Sequence, residues 1–432
     1  MHVVERCAAW AQRFRGQPLA GEVAHHARRA IVDWHAALYP GAVAAPATLL
    51  ERALAGELDR GPARLALGRK ATVRAAAMIN ATAAHTAEVD DIFRDGIYHP
   101  GAPTIAAAHA LSFGESNFLR SVVAGYEIST RIGAAMGRAH YRYWHNTGTI
   151  GCFGAAAAAA EALGLDAVRF AHALATAATF SAGLQQAFRM DSMSKPLHAG
   201  HAAEAGVTAA LAAREGVTGS LDVMEGEAGY GRAMGDGQDW NRALATLGED
   251  FHITRMTFKN HACCGHTFAA IDGALALQKK LTVHAGEMEK IEIATYRAGL
   301  EVAHYENPAT AAEARFSLKY VVASALTHGS VRLAAFEKER LEDPATRALM
   351  QRIHVRLDPE LDAAFPRQRA ARVAIEARGA RAEHLQPTRI GDPDAPLSDA
   401  QLGEKYLELA APVIGERAAR AELAHLWQLD GR

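Results

Sequence analysis

"SKPLHAGHAAEAGVTAALAAREG", residues 194–216, decides the architecture. From Ala199 onward the stretch is almost entirely Ala, Gly, Val and Leu. Side chains this small let helices approach closely, so the stretch reads as a helix buried among other helices. Its entry is different. Lys195 and Pro196 stand just before the helix, and His198 and His201 follow one turn apart on one face. A helix that only packs has no need of a lysine there.

The same texture extends on either side. "PATLLERALAGEL", "ATVRAAAMINATAAHTAEV", "NFLRSVVAGYEISTRIGAAMG" and "DAVRFAHALATAATFSAGLQQ" place apolar residues at helical spacing, with Gly or Pro at the turns. Near residue 252 the pattern changes. "HITRMTFK", "MEKIEIATY", "RIHVRLD" and "ARVAIEARG" alternate apolar and polar residues and predict strands. Helical stretches lie between them: "CGHTFAAIDGALALQKKL", "RFSLKYVVASALTHG" and "DPATRALMQR". After the Gly and Pro punctuation at 391–396 the helical pattern returns, with Ser398 at a helix start. A chain of 432 residues exceeds one ordinary core. The expected fold is mainly α: a large all-helical domain formed by both chain ends, residues 1–255 and 391–432, plus a smaller inserted α+β domain, residues 256–390.

Lys and Arg number 46 against 48 Asp and Glu, a net charge of -2, so the chain has no bulk electrostatic reason to bind nucleic acid or an anionic membrane. Cys7, Cys152, Cys263 and Cys264 are too few and too oddly placed for a disulfide framework, and a reducing, cytoplasmic setting is expected. The N-terminus has charge in its first turns and no uninterrupted apolar stretch, unlike a signal peptide.

Four segments share one plan, a loop with imidazole or basic side chains followed by a helix of small residues. They are "YHPGAPTIAAAHAL" with His99, "WHNTGTIGCFGAAAAAAEALG" with His145 and Thr147, "DSMSKPLHAGHAAEAG" with Lys195, and "FKNHACCGHTFAAIDGALAL" with Lys259, His261 and His266. Helix N-termini carry unpaired N–H groups and partial positive charge, and an added Lys or His makes an anion site. If such ends converge, the natural ligand is a small di- or tricarboxylate. Carboxylates come from "HTAEVDDIFRDGIYHPG", which holds Glu88, Asp90, Asp91 and Asp95 with His85, Arg94, Tyr98 and His99. A carboxylate beside a histidine orients the ring and raises its proton affinity, which suits proton transfer near neutral pH.

Each element also has a plain structural reading. Lys195 can be a solvated lysine, and Asp90 and Asp91 can be caps or ion-pair partners. His198 with His201, or the "HACCGH" run, offers too few well-spaced ligands for zinc. "GTIGCFG" lacks Walker spacing, and neither a dinucleotide fingerprint nor a nucleophile elbow is present.

Taken in order, these segments resemble the MmgE/PrpD family, from about residue 20 to about residue 415. The family's acidic signature stands here as "AHTAEVDD" with His99-Pro100 following; "GYEISTRIG", "SKPLHAGHAAEAG", "FKNHACCGHTFAAIDGALAL", "RFSLKYVVASALTHGSV", "LDPELDAAFP" and "GDPDAPLS" match further blocks. The resemblance implies a helical domain with an inserted α+β lid, a homodimer, and no cofactor or metal. It implies chemistry next to a carboxylate in a small polycarboxylate: dehydration first, then epimerisation of an imino-dicarboxylate, then cis-aconitate-type decarboxylation. A non-catalytic carboxylate-binding protein is the remaining alternative. Carried over by position, the catalytic set is Asp91, His99, His145, Lys195 and Tyr320; Lys259, Glu88, Asp90, Arg94, His261 and His266 would contact substrate. Lys195 and Lys259 would hold carboxylates and steady enolate-like charge, and His99 or His145 would move the proton, with Lys195 an alternative base. Three positions depart from the family pattern: Glu88 replaces an Asp, Ile92 a Thr, and Gly265 an Arg. A lost hydroxyl and a lost cation point to a substrate other than 2-methylcitrate.

Overall fold

The run of small residues forms one helix, Ser194–Arg214, and it lies against helices Val73–Thr86 and Gly151–Ala162. In this computed structural model, which describes residues 1–112, 117–188 and 192–430, the chain is mainly α, 59% helical with only small sheets. Every residue from Gly151 to Glu161 is buried. A Cβ on Gly206 would stand 2.5 Å from both Ala155 Cβ and the Ala156 amide nitrogen, so glycine is what permits this approach. Alanine buries little area per residue. Stability here comes from many short-range dispersion contacts along closely apposed backbones. Thr72 and Asp166 cap the helices that follow them, each accepting a backbone N–H at the third helical position.

Two compact units divide the chain: Met1–Phe258 with Ser398–Arg432, and Lys259–Leu397. In the first unit, helix Asp399–Ile414 from the C-terminal segment packs on helix Gly21–Ala42. Lys405 Nζ reaches inward from it, 2.5 Å from Asp33 Oδ1 and 2.6 Å from the Val89 carbonyl. Both charged side chains are 1% exposed. Ser398 caps this helix in a capping box with Gln401.

The second unit contains a four-stranded sheet in the order Ile353–Leu357, Met288–Thr295, Ala371–Ala377, Ala380–Gln386. The first pair is parallel and the others antiparallel. Helix Phe268–Leu281 covers the last two strands, and helix Leu318–His328 packs on that helix.

Two features differ from the expected pattern. "HITRMTFK" is not a strand. It forms a 3-10 turn, His252–Arg255, and only Thr257 makes a bridge, to Ile92. Its apolar residues Ile253, Met256 and Phe258 are buried in the helical unit, which produced the apparent alternation. The helical unit also carries a small hairpin, Leu58–Arg64 with Lys70–Ala71. Among the described residues, no helix is long and apolar enough to cross a membrane.

Candidate active site

Helix Val73–Thr86 ends one residue after His85, and the chain turns at Glu88, whose φ is 57°. The loop to Pro100 is fastened along its length. Val89 is held by Lys405, and Ile92 exchanges two backbone hydrogen bonds with Thr257 at 2.8 and 2.9 Å. Asn146 Nδ2 donates to the Gly96 carbonyl at 2.7 Å, and the His99 amide donates to Thr147 Oγ1 at 3.2 Å. A loop fixed at so many points can present side chains as accurately as a helix does.

The loop brings Asp90 between two histidines. Asp90 Oδ2 lies 2.7 Å from His85 Nδ1 and 3.2 Å from His99 Nδ1. His85 and Asp90 are fully buried, while the His99 side chain is 15% exposed. Burial alone would push Asp90 up. The charges of His99 and His85 and their hydrogen bonds overcome it and hold the carboxyl well below its usual value. Asp90 is therefore a fixed anion that orients both rings.

Asp91 turns the other way. Its Oδ1 accepts from the Gly101 amide at 3.0 Å, serving the start of helix Gly101–Leu111, and its Oδ2 hydrogen-bonds the Tyr126 hydroxyl at 2.8 Å. Burial, with the nearby Asp33 charge, raises Asp91 to about 8, so it is a neutral acid at pH 7. Of the two acids, Asp90 is the one that meets the histidines.

Two further histidines extend the cluster. The His145 ring stacks on His85 with centroids 5.5 Å apart, and its Nδ1 lies 3.0 Å from His198 Nδ1. Burial, then His85, Lys195, His198 and His99, keep His145 well below the usual imidazole value. His198 is lowered to about 4 by burial, His85, His201 and Lys195. Both rings are neutral at pH 7. Lys195 Nζ sits 5.0 Å from the Phe188 ring centre and 2.5 Å from Glu88 Oε1. Its ammonium already holds a carboxylate supplied by the protein. Arg94 is exposed on the same loop.

His85, Asp90 and His99 each offer a ligand atom, all within 4.8 Å of one another. A divalent transition metal accepts such donors; as they stand, His85 Nδ1 hydrogen-bonds Asp90 Oδ2 at 2.7 Å and His99 Nδ1 makes an ion-pair contact with the same oxygen at 3.2 Å.

The remaining expected residues lie in the second unit, where Lys259 is its first residue. His261 Nε2 bonds Asp272 Oδ1 at 2.9 Å, and His266 Nδ1 bonds the Tyr296 hydroxyl at 2.9 Å. Tyr320 is fully buried and donates its hydroxyl to the Ala335 carbonyl. Burial pushes the Cys263 thiol up to about 12 and raises Cys264 as well, so neither is a thiolate at neutral pH. Within the helical unit the structure therefore gathers Glu88, Asp90, His99, His145 and Lys195. It adds His85 and His198, which the sequence reading leaves outside the residues expected to touch substrate. The signal for His85 is its place five residues before Asp90, across a helix end.

A family model for the MmgE/PrpD N-terminal domain matches residues 5–243, and one for the MmgE/PrpD C-terminal domain matches residues 261–430. Among curated relatives, the chain is 27% identical over 385 residues to the cis-aconitate decarboxylase-like protein oryM of Aspergillus oryzae, covering 81% of this chain and 78% of that protein. It is 26% identical over 352 residues to human cis-aconitate decarboxylase, covering 78% and 73%. The mouse cis-aconitate decarboxylase is 25% identical over 311 residues, covering 67% and 62%.

Proposed function

Because this chain belongs to the MmgE/PrpD family, we propose that it is a lyase whose buried histidines transfer a proton at a carbon next to a carboxylate of a small di- or tricarboxylate. The observation that carries this reading is the ionised Asp90 held between His85 and His99. Such an anion fixes the His99 ring and stabilises it when it is protonated, which is what a proton-transfer group requires. His145, neutral and buried beside it, supplies a second imidazole. Lys195 offers a cation that can exchange the Glu88 carboxylate for one on the substrate.

Among the family's reactions, the named relatives favour decarboxylation of a cis-aconitate-like acid over dehydration, the reaction expected first from the sequence. In that reaction the carbon–carbon bond to one carboxylate breaks and carbon dioxide leaves. The electron pair shifts through the neighbouring double bond, and a histidine delivers a proton to the carbon that receives it. The lysine steadies the charge that develops on the remaining carboxylate.

Proton NMR of the purified protein in D2O, with cis-aconitate, citrate, 2-methylcitrate and an imino-dicarboxylate, tests this. Loss of carbon dioxide with one deuterium at the new C–H is the expected result with the cis-aconitate-type acid. Elimination of water would make dehydration the reaction. Absence of both exchange and product across the panel overturns the lyase reading and leaves a carboxylate-binding protein.

A further inference from the structure

His145 and His198 face each other through the same atom, Nδ1, at 3.0 Å. A neutral imidazole carries one proton on one of its two nitrogens. At hydrogen-bond distance, one Nδ1 must carry a proton and the other a lone pair. The ring that donates at Nδ1 is therefore bare at Nε2. The ring that accepts at Nδ1 carries its proton at Nε2. The two tautomers are locked in opposite states.

Both rings are held in place. The His145 amide donates to the Gly183 carbonyl at 2.9 Å, and its ring meets Phe188 edge-on at 4.8 Å. Gly183 has φ 128°, and a Cβ there would come 3.2 Å from His198 Cγ and Nδ1. Glycine thus lets the backbone lie against the His198 ring. His145 is buried, whereas His198 is half-buried and stands closer to solvent. The charged and titratable groups facing the pair are Lys195, with Glu88 on it, and His85, His99 and His201.

We propose that His198 is the positioning residue that sets the tautomer of His145, and that the pair carries the reaction proton between substrate and solvent. This rests on the reading above that His145 takes part in proton transfer. In the loaded state His198 donates its Nδ1 proton to His145, which holds its own proton at Nε2. When His145 gives that Nε2 proton to the substrate carbon, it takes the Nδ1 proton from His198. His198 then takes a proton from water at Nε2. One proton enters at His198 and one leaves at His145. To reset after the product leaves, water protonates the bare Nε2 of His145, the Nδ1 proton of His145 passes back to His198 Nδ1, and His198 releases its Nε2 proton to solvent, so one proton is taken up per turnover. Decarboxylation consumes one proton per turnover, so a path from solvent to the reacting carbon fits its stoichiometry.

Nitrogen-15 NMR of the histidine side chains in the substrate-free protein reads the tautomers directly, and kinetics reads their use. The expected spectrum shows His145 protonated at Nε2 and His198 at Nδ1. In His198→Leu, kcat should fall on the order of 10²-fold with KM little changed. His198→Asn places an amide near Nδ1, so it should preserve the His145 tautomer while kcat stays low until added imidazole partly restores it. Two results overturn the inference alone: the same tautomer at both histidines, or an inactive His145→Ala beside a His198→Leu with unchanged kcat. A fully active His145→Ala would instead remove the reading on which it rests. Should His198→Leu fail to fold, the wild-type tautomers and the His198→Asn rescue decide.

Discussion

Replacing Asp91 by Asn separates the two roles a carboxyl can have at that position. Asp91 is buried and raised from 3.8 to about 8, chiefly by burial and the Asp33 charge. The unfolded chain ionises this group near 3.8, while the folded chain keeps its proton until about 8. Across that interval the folded state binds more protons, so stability falls as pH rises from about 4 to about 8 and then levels. At about 1.4 kcal/mol per pH unit, the ceiling on the loss is on the order of 5 kcal/mol. Asn has no such titration. Its Oδ1 can keep the Gly101 amide, and its Nδ2 can donate to the Tyr126 hydroxyl. Asp91→Asn should therefore match wild type near pH 4 and exceed it by a growing margin toward pH 8. The assay is urea unfolding followed by circular dichroism from pH 4.5 to 8.5, comparing the two proteins through the same transition, since a two-unit chain need not unfold in one step. Parallel curves would refute a neutral buried Asp91. Turnover of the variant is a second, independent readout. A carboxyl turned to a helix start predicts activity retained, and loss of activity in a folded variant would restore Asp91 to the catalytic set.

Two further changes probe the packing beneath the site. Lys405→Met removes one charged partner of the buried Asp33 and the donor to the Val89 carbonyl, and should cost about 3–5 kcal/mol. Adding Asp33→Asn should recover much of that loss, as a double-mutant cycle in urea would show; strictly additive losses would contradict the pairing. Gly206→Ala drives a methyl against Ala155 and the Ala156 amide, and should destabilise by about 1–3 kcal/mol, checked by thermal unfolding against wild type.

The helices were legible because small residues recur over long stretches, and three of the four strands in the 259–397 unit were legible because β-branched residues alternate there. Strand Ala380–Gln386 was not. Its residues are exposed or half-exposed on both faces, so it has no apolar period to read. The false strand at 252–259 shows the converse, where spacing suited to a strand served a turn buried in a helical unit. Lys195 and the acidic loop announced themselves by their setting, a charge where a packing helix needs none. The choice between Asp90 and Asp91 did not, because neighbours in a loop point to opposite sides and only the folded backbone decides which meets a ring. The pairing of His198 was equally hidden. Its partner His145 is distant in sequence, and only tertiary structure sets two Nδ1 atoms face to face.

Lys405 gives the candidate site a place in time. The ribosome makes His85, Asp90 and His99 early, yet the amine that grips Val89 belongs to helix Asp399–Ile414, translated after the whole 259–397 unit. Until that lysine emerges, Asp33 lacks this one partner and the acidic loop lacks one of its anchors. A growing chain can assemble much of its helical core and still wait for this loop to lock. The late lysine thus links the locking of the acidic loop to translation beyond the 259–397 unit.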